Sequence, residues 1–329
     1  MKPWVLHETD LFRPHQDPDD HWDLACQFAL ARRGLIDLRG VLIDYPPYPE
    51  RQDPDITAVA QLGWITGIPV PAGMGQIHAD DAPGSGLMLL KRTLEEAHEP
   101  IALHIVGSCR DIAQCGMRWP ELFKKKVKAL YLNAGSGTNT EHLEYNVNLD
   151  IEHYAQIFSL PCPIYWMPCF HNVEDMSYMG GYGTFYSFEQ GRVFDEMPPA
   201  VLNYFLGMLT KDKGCDWFAA LNRPVDTQAK EHFSRQQRWM WCTGGFLNTA
   251  GLTVWQDGTI APLGQSPEKE VFSFVPITIT CTADGRTHWA PSPAATARFI
   301  YHVEDEAAYP EAMALALKQL ISWLWEDPK

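Results

Sequence analysis

A chain of 329 residues has room for one large α/β domain or two ordinary ones, and 46% hydrophobic with 12% aromatic content supports a sizeable core. With 26 basic against 41 acidic side chains the net charge is −15, which repels phosphate backbones and argues against nucleic-acid binding. No run approaches the roughly 20 apolar residues of a membrane span. Glu8 and Asp10 arrive too early for a secretory leader, and the eight cysteines are scattered singly, so a cytoplasmic protein with reduced, mostly buried thiols is expected.

In chain order, Trp4, Val5 and Leu6 open an apolar strand that ends in Glu8-Thr9-Asp10. A helix then starts at Asp17-Pro18-Asp19-Asp20. Asp17 suits the N-cap, Pro18 the first helical position, and two further acids suit the positive end of the macrodipole. Trp22, Leu24, Ala25, Cys26, Phe28, Ala29 and Leu30 make that helix apolar nearly all round, which predicts burial. Capping needs only one of these acids. Asp10, Asp19 and Asp20 together mark a strand-to-helix junction of the kind that binds ligands in open α/β sheets.

An alternation follows, with strands predicted at 38–45, 68–72, 101–106, 127–132 and 163–168. Helices are predicted at 55–67, 87–98, 110–126 and 151–159. Apolar strand runs of this sort predict an α/β fold, a mostly parallel sheet covered by helices on both faces. The glycine- and tyrosine-rich stretch 172–197 reads as a packed loop, a lid or a subunit contact. Helices at 199–209 and 227–248, a strand at 271–281 and a last amphipathic helix complete a single domain spanning 1–329. No nucleotide-binding glycine motif, G-x-S-x-G elbow or H-E-x-x-H is present.

The acids lack histidine or thiol partners in sequence, and hard oxygen donors suit calcium or magnesium. Asp10 followed by Asp19-Asp20 and a buried helix resembles the D-T-D-x-G-x-D-D motif of the inosine–uridine-preferring nucleoside hydrolases. Val106-Gly107-Ser108-Cys109-Arg110-Asp111-Ile112-Ala113 resembles the family's strand end and G-x-L-T-N-I-A. Leu132-Asn133-Ala134-Gly135 resembles the strand ending in M-G-G, and Glu144-Tyr145-Asn146 with Asp150 its E-F-N-x-x-x-D-P-E-A. The resemblance runs in order along essentially the whole chain and is weaker after residue 170.

It implies hydrolysis of the N-glycosidic bond of a ribonucleoside beside one Ca²⁺. Asp10 would ligate the metal and act as base, Asp20 would be a second ligand, and Val106 would lend its carbonyl. Asp19, Asn139, Glu144 and Asn146 would hold the ribose. Trp239 and Trp241 are candidates to stack on the base or to lie in the core. The resemblance also implies association into homo-oligomers, with a small ribose-containing molecule as partner.

Three departures stand out. The loop from Asp10 to Asp19 is longer and lacks glycine, and Asp44-Tyr45 replaces a ribose-binding asparagine. No carboxylate stands near Arg238-Trp239-Met240-Trp241, where the family's last metal ligand belongs. Asp17, Asp23 and Asp44 are the candidates to replace it. A non-catalytic ribose or nucleoside binder is the alternative, and a hydrolase of another sugar bond a third.

Overall fold

A computed structural model describes residues 2–14, 18–78, 82–138, 141–174, 180–210 and 216–327. Its sheet contains β1 (Trp4–Thr9), β2 (Asp37–Ile43), β3 (Ala72–Met74), β4 (Ile101–Ile105), β5 (Val127–Asn133), β6 (Ile164–Met167), β7 (Phe272–Cys281), β8 (Thr287–Pro291) and β9 (Arg298–Val303). These nine strands lie in the order β8-β7-β9-β6-β5-β4-β1-β2-β3. Every pairing from β9 across to β3 is parallel, and β7 and β8 add an antiparallel edge.

From β1 the chain steps outward through β2 and β3, then returns to β4 on the other side of β1 and continues through β5 and β6. The connections above β1 and β4 therefore part in opposite directions. That reversal opens a crevice beyond their carboxyl ends. Both faces of the sheet are covered, as the apolar runs predict. Along β1, Val5 joins one apolar cluster and Leu6 the other.

The helices that shape the site are α1 (Asp19–Arg32), α2 (Ile56–Thr66), α3 (Tyr145–Leu149), α4 (Pro199–Leu209), α5 (Thr243–Thr249) and α6 (Tyr309–Ser322). Trp22 of α1 is fully buried, with ring centroids 4.3 Å from Phe205 of α4, 5.7 Å from Phe188 and 5.9 Å from Phe194. This aromatic group presses α1 against the sheet and fixes where its first turn points. Asp55 caps α2 by accepting from Ala58 N–H at 3.2 Å, and Gly67 ends it in the left-handed conformation at φ 73°.

Several local expectations change. The helix predicted at 227–248 is a helix at Thr227–Ser234, a strand at Gln237–Met240 and then α5. The strand exists because it pairs antiparallel with Tyr186–Glu189, inside the stretch read as a loop. The helix predicted at 110–126 breaks at Trp119, with Pro120 beginning a second helix that runs to Lys126. Asp17 lies outside the described residues. Pro18 occupies the cap position of α1 and provides no side-chain bond. The described cysteines are free thiols, buried except for half-buried Cys281. No helix among the described residues is long and apolar enough to cross a membrane.

Candidate active site at the sheet switch point

The crevice between β1 and β4 holds a cavity of about 410 Å³. Asp10 enters it directly after β1, and the first turn of α1 delivers Asp19 and Asp20. Thr9 fixes one of them, since its hydroxyl donates to Asp20 Oδ1 at 2.5 Å. Burial first, then Asp44 and Asp19, raises the Asp10 carboxyl well above its ordinary value, while a hydrogen bond with Asp20 opposes. Burial and then Asp10 raise Asp20 likewise, with the Thr9 hydroxyl opposing. Two neighbouring acids whose ionised forms are disfavoured in this way cannot both ionise cheaply, and a shared proton or a cation would balance them.

The facing wall comes from β4, β5 and α3. Glu144 caps α3, accepting from Asn146 N–H at 2.9 Å and Val147 N–H at 3.4 Å, and it also receives Gly135 N–H at 2.9 Å. Asn146 Nδ2 donates to the carbonyls of Val106 and Asn133, each at 3.1 Å, and so ties the ends of β4 and β5 together. The Asn133 side chain is held from every side. Its Nδ2 donates to Met167 O and Thr184 Oγ1, and its Oδ1 accepts from the thiols of Cys169 and Cys242. These bonds make a rigid polar wall opposite the acids.

Aromatic rings surround the rest. Phe12, Phe170, Phe185, Trp239 and Trp241 line the cavity, with Trp241 5.6 Å from Phe185 and 5.9 Å from Phe170 between ring centroids. Trp239 is 46% exposed, so its ring is open to a ligand at the rim. The fold thus gathers Asp10, Asp19, Asp20, Val106, Glu144, Asn146, Trp239 and Trp241 around one cavity. Asn139 lies outside the described residues.

Besides these rings, the motifs assigned no role to several other lining residues, among them Tyr145, Gln52 and His21. Tyr145 is 53% exposed and lines the same cavity as Asp10 and Asp20, and burial, then those two acids, pushes its hydroxyl upward. Gln52 and His21 line it as well. Only the substitution of tyrosine for phenylalanine in Glu144-Tyr145-Asn146 offered a sequence signal for any of them.

The donor set bears on the expected calcium. Asp10, Asp20 and the Val106 carbonyl are oxygen donors, and the two carboxylates carry charge that wants compensation, which suits a hard divalent cation. Among the described residues no group of three or more histidine, cysteine or carboxylate side chains converges to hold a metal. Of the proposed replacements for the distant ligand, neither Asp23 nor Asp44 lines the cavity, and the strand at Gln237–Met240 brings tryptophans instead. These three oxygens are the groups that would hold such an ion, and they leave most of its positions to other donors.

Behind the cavity lies a second layer of buried acids. Asp44 Oδ2 accepts from Ser108 N–H at 2.6 Å, and a Cβ on Gly107 would meet that same oxygen at 2.5 Å. Only glycine admits so close an approach. Burial lifts Asp44 to about 6, opposed by neighbouring Glu8 and by the Ser108 N–H. Burial and then Asp44 push Asp111 up to about 7, against Gln76 N–H, Arg110 and His153.

Because the Asp111 carboxyl titrates above its unfolded value of about 3.9, the folded state holds the extra proton. Stability therefore falls as pH rises from about 4 to about 7. Asp111→Asn keeps an oxygen for Gln76 N–H and should flatten that fall. It should gain on the order of 2–4 kcal/mol at pH 8 and nothing at pH 4, measured by urea unfolding at both pH values.

Solved structures share the architecture. A purine-preferring ribonucleoside hydrolase from Gardnerella vaginalis matches with a TM-score of 0.60 and 11% identity, over 98% of this chain and 99% of its own. A plant nucleoside hydrolase matches with a TM-score of 0.56 and 11% identity, over 98% and 99%. The type III effector protein XopQ, solved with adenosine diphosphate ribose, matches with a TM-score of 0.55 and 15% identity, over 99% and 95%. No family model and no curated protein matches the sequence. At these identities the likeness establishes a nucleoside-hydrolase-like fold.

Proposed function

We propose that the protein hydrolyses the N-glycosidic bond of a ribonucleoside. The observation that carries this reading is half-buried Asp10 beside buried Asp20 at the switch point, with Asp19 next to them and Glu144 and Asn146 lining the same cavity. Asp10 takes a proton from the water whose oxygen attacks the anomeric carbon, and the bond to the base breaks as that bond forms. Positive charge develops on the sugar in such a reaction, and the acid-lined wall stabilises it.

Asp19 accepts from ribose hydroxyls. The remaining lone pairs of Glu144 and the side-chain oxygen of Asn146 orient the sugar from the opposite wall. Trp239 and Trp241 flank the departing base, which collects its proton from solvent at the mouth. A divalent cation held by Asp10, Asp20 and the Val106 carbonyl would lower the pKa of bound water.

The test compares melting and sugar release with and without calcium. Saturating calcium should raise the melting temperature by roughly 5 °C over the same protein in EDTA, and ribose should be released from a purine or pyrimidine nucleoside. If calcium and EDTA give the same melting curve and no nucleoside is cleaved, the proposal fails.

The missing late carboxylate favours a second reading, a non-catalytic binder of ribose-containing ligands. Its structural neighbour XopQ was solved with one such ligand, adenosine diphosphate ribose. Ribose binding that survives Asp10→Ala, with no turnover in the parent protein, would favour it.

A further inference from the structure

A short ribbon separates the cavity described above from a second one. Residues Phe12–Arg13 pair antiparallel with Asp53–Pro54, and Asp55 N–H anchors the ribbon on Leu11 O at 2.9 Å. Successive residues of an extended strand face opposite ways. Phe12 and Gln52 line the first cavity, while Arg13, Arg51 and Asp53 line the second. The second cavity holds about 480 Å³ and is walled on its far side by α2, α4 and the helix Trp217–Leu221.

We propose that this second cavity binds a ribonucleoside 5′-phosphate. Its volume falls within the range of small-molecule sites. It brings two guanidinium groups together in a protein whose net charge is −15. The Arg13 guanidinium lies 3.4 Å over the centre of the Trp217 ring and 3.6 Å from Asp55. That stack holds the guanidinium plane, so little rotamer freedom is lost when a phosphate pairs with it. Arg51 is 78% exposed and, among the described residues, is paired with its neighbour Glu50 at 3.2 Å, an exposed contact that a turn to the same anion would replace at little cost.

The carboxylates do not oppose an anion equally. Asp55 is already matched by Arg13, by His21 at 3.1 Å and by the first turn of α2. Asp53 stands directly opposite Arg13 in the ribbon and is exposed, where a carboxylate accepts from vicinal ribose hydroxyls. Tyr204 and Trp217 supply aromatic walls for a base. Arginines for phosphate, a carboxylate for ribose and rings for a base together make up the complement of a nucleotide. Free phosphate would use only the first of the three.

The test is calorimetry with adenosine 5′-monophosphate, with adenosine and inorganic phosphate as separate arms. Arg51→Ala should weaken the monophosphate about tenfold and leave adenosine unchanged, and Arg13→Gln should weaken it at least as much. Melting curves confirm that each variant is folded. Monophosphate affinity unchanged in both variants overturns the proposal, as does inorganic phosphate that binds as tightly as the nucleotide. The readout is binding alone, so it stands or falls independently of nucleoside turnover.

Discussion

Asp10→Asn is expected to lower nucleoside cleavage by about 10²–10⁴-fold and to raise the melting temperature of the metal-free protein. The two effects share one cause. Burial, Asp44 and Asp19 hold the Asp10 carboxyl well above its ordinary value, so ionising it in the folded state costs more than ionising it in the unfolded chain. Native stability is therefore lost as pH rises from the unfolded value through the folded one.

Asparagine has nearly the same shape, cannot ionise and cannot take a proton from water. The stability gain should be smallest at pH 4 and should grow as pH is raised to 8, measured by thermal melting in EDTA beside a reducing-sugar assay. A variant that melts below the parent at both pH values would show that Asp10 holds the fold rather than straining it. Calcium should narrow the gap, because it compensates the charge in the parent alone.

The largest stability loss is expected from Trp22→Ala, at about 3–5 kcal/mol. Trp22 is fully buried and meets Phe188, Phe194 and Phe205, with the Phe205 ring centroid only 4.3 Å away. Removing the indole leaves a void among rigid rings that cannot collapse into it. The same residue lies within the first turn of α1, just after Asp19 and Asp20, so ligand affinity should fall with stability. Urea unfolding measures the first effect and calorimetry with ribose the second. Trp22→Phe, which refills most of the void, should restore the greater part of both. A loss below about 1 kcal/mol for the alanine variant would mean that the group repacks.

The parallel sheet was readable because its strands are apolar on both faces and regularly spaced along the chain. Asp10, Asp19 and Asp20 were readable because three acids at a strand-to-helix junction exceed what capping requires. Other features depend on partners far away in sequence. The strand at Gln237–Met240 sits between two helices and exists only by pairing with Tyr186–Glu189, so local propensity extended a helix across it. Glu144 and Asn146 could be named from a motif, but not their bonds to Gly135 N–H and to the Val106 and Asn133 carbonyls. Asp44 and Asp111 lie in different stretches, and neither signals in sequence that it belongs to a second acid layer behind the first. The ribbon formed by Phe12–Arg13 and Asp53–Pro54 is shorter than any pattern can detect.

That ribbon restricts how the chain can change length. Surface connections ordinarily absorb insertions and deletions at little cost. Here one residue gained or lost ahead of Gln52 would shift its strand against Phe12–Arg13, and a slip of one turns side chains to the opposite face. The charged side chain of Arg51 or Asp53 would then enter the chamber lined by Asp10 and Asp20, and Gln52 would leave it. The stretch from 45 to 52 looks like ordinary loop, with three prolines and two charged side chains. It should nonetheless tolerate substitutions far better than changes in length.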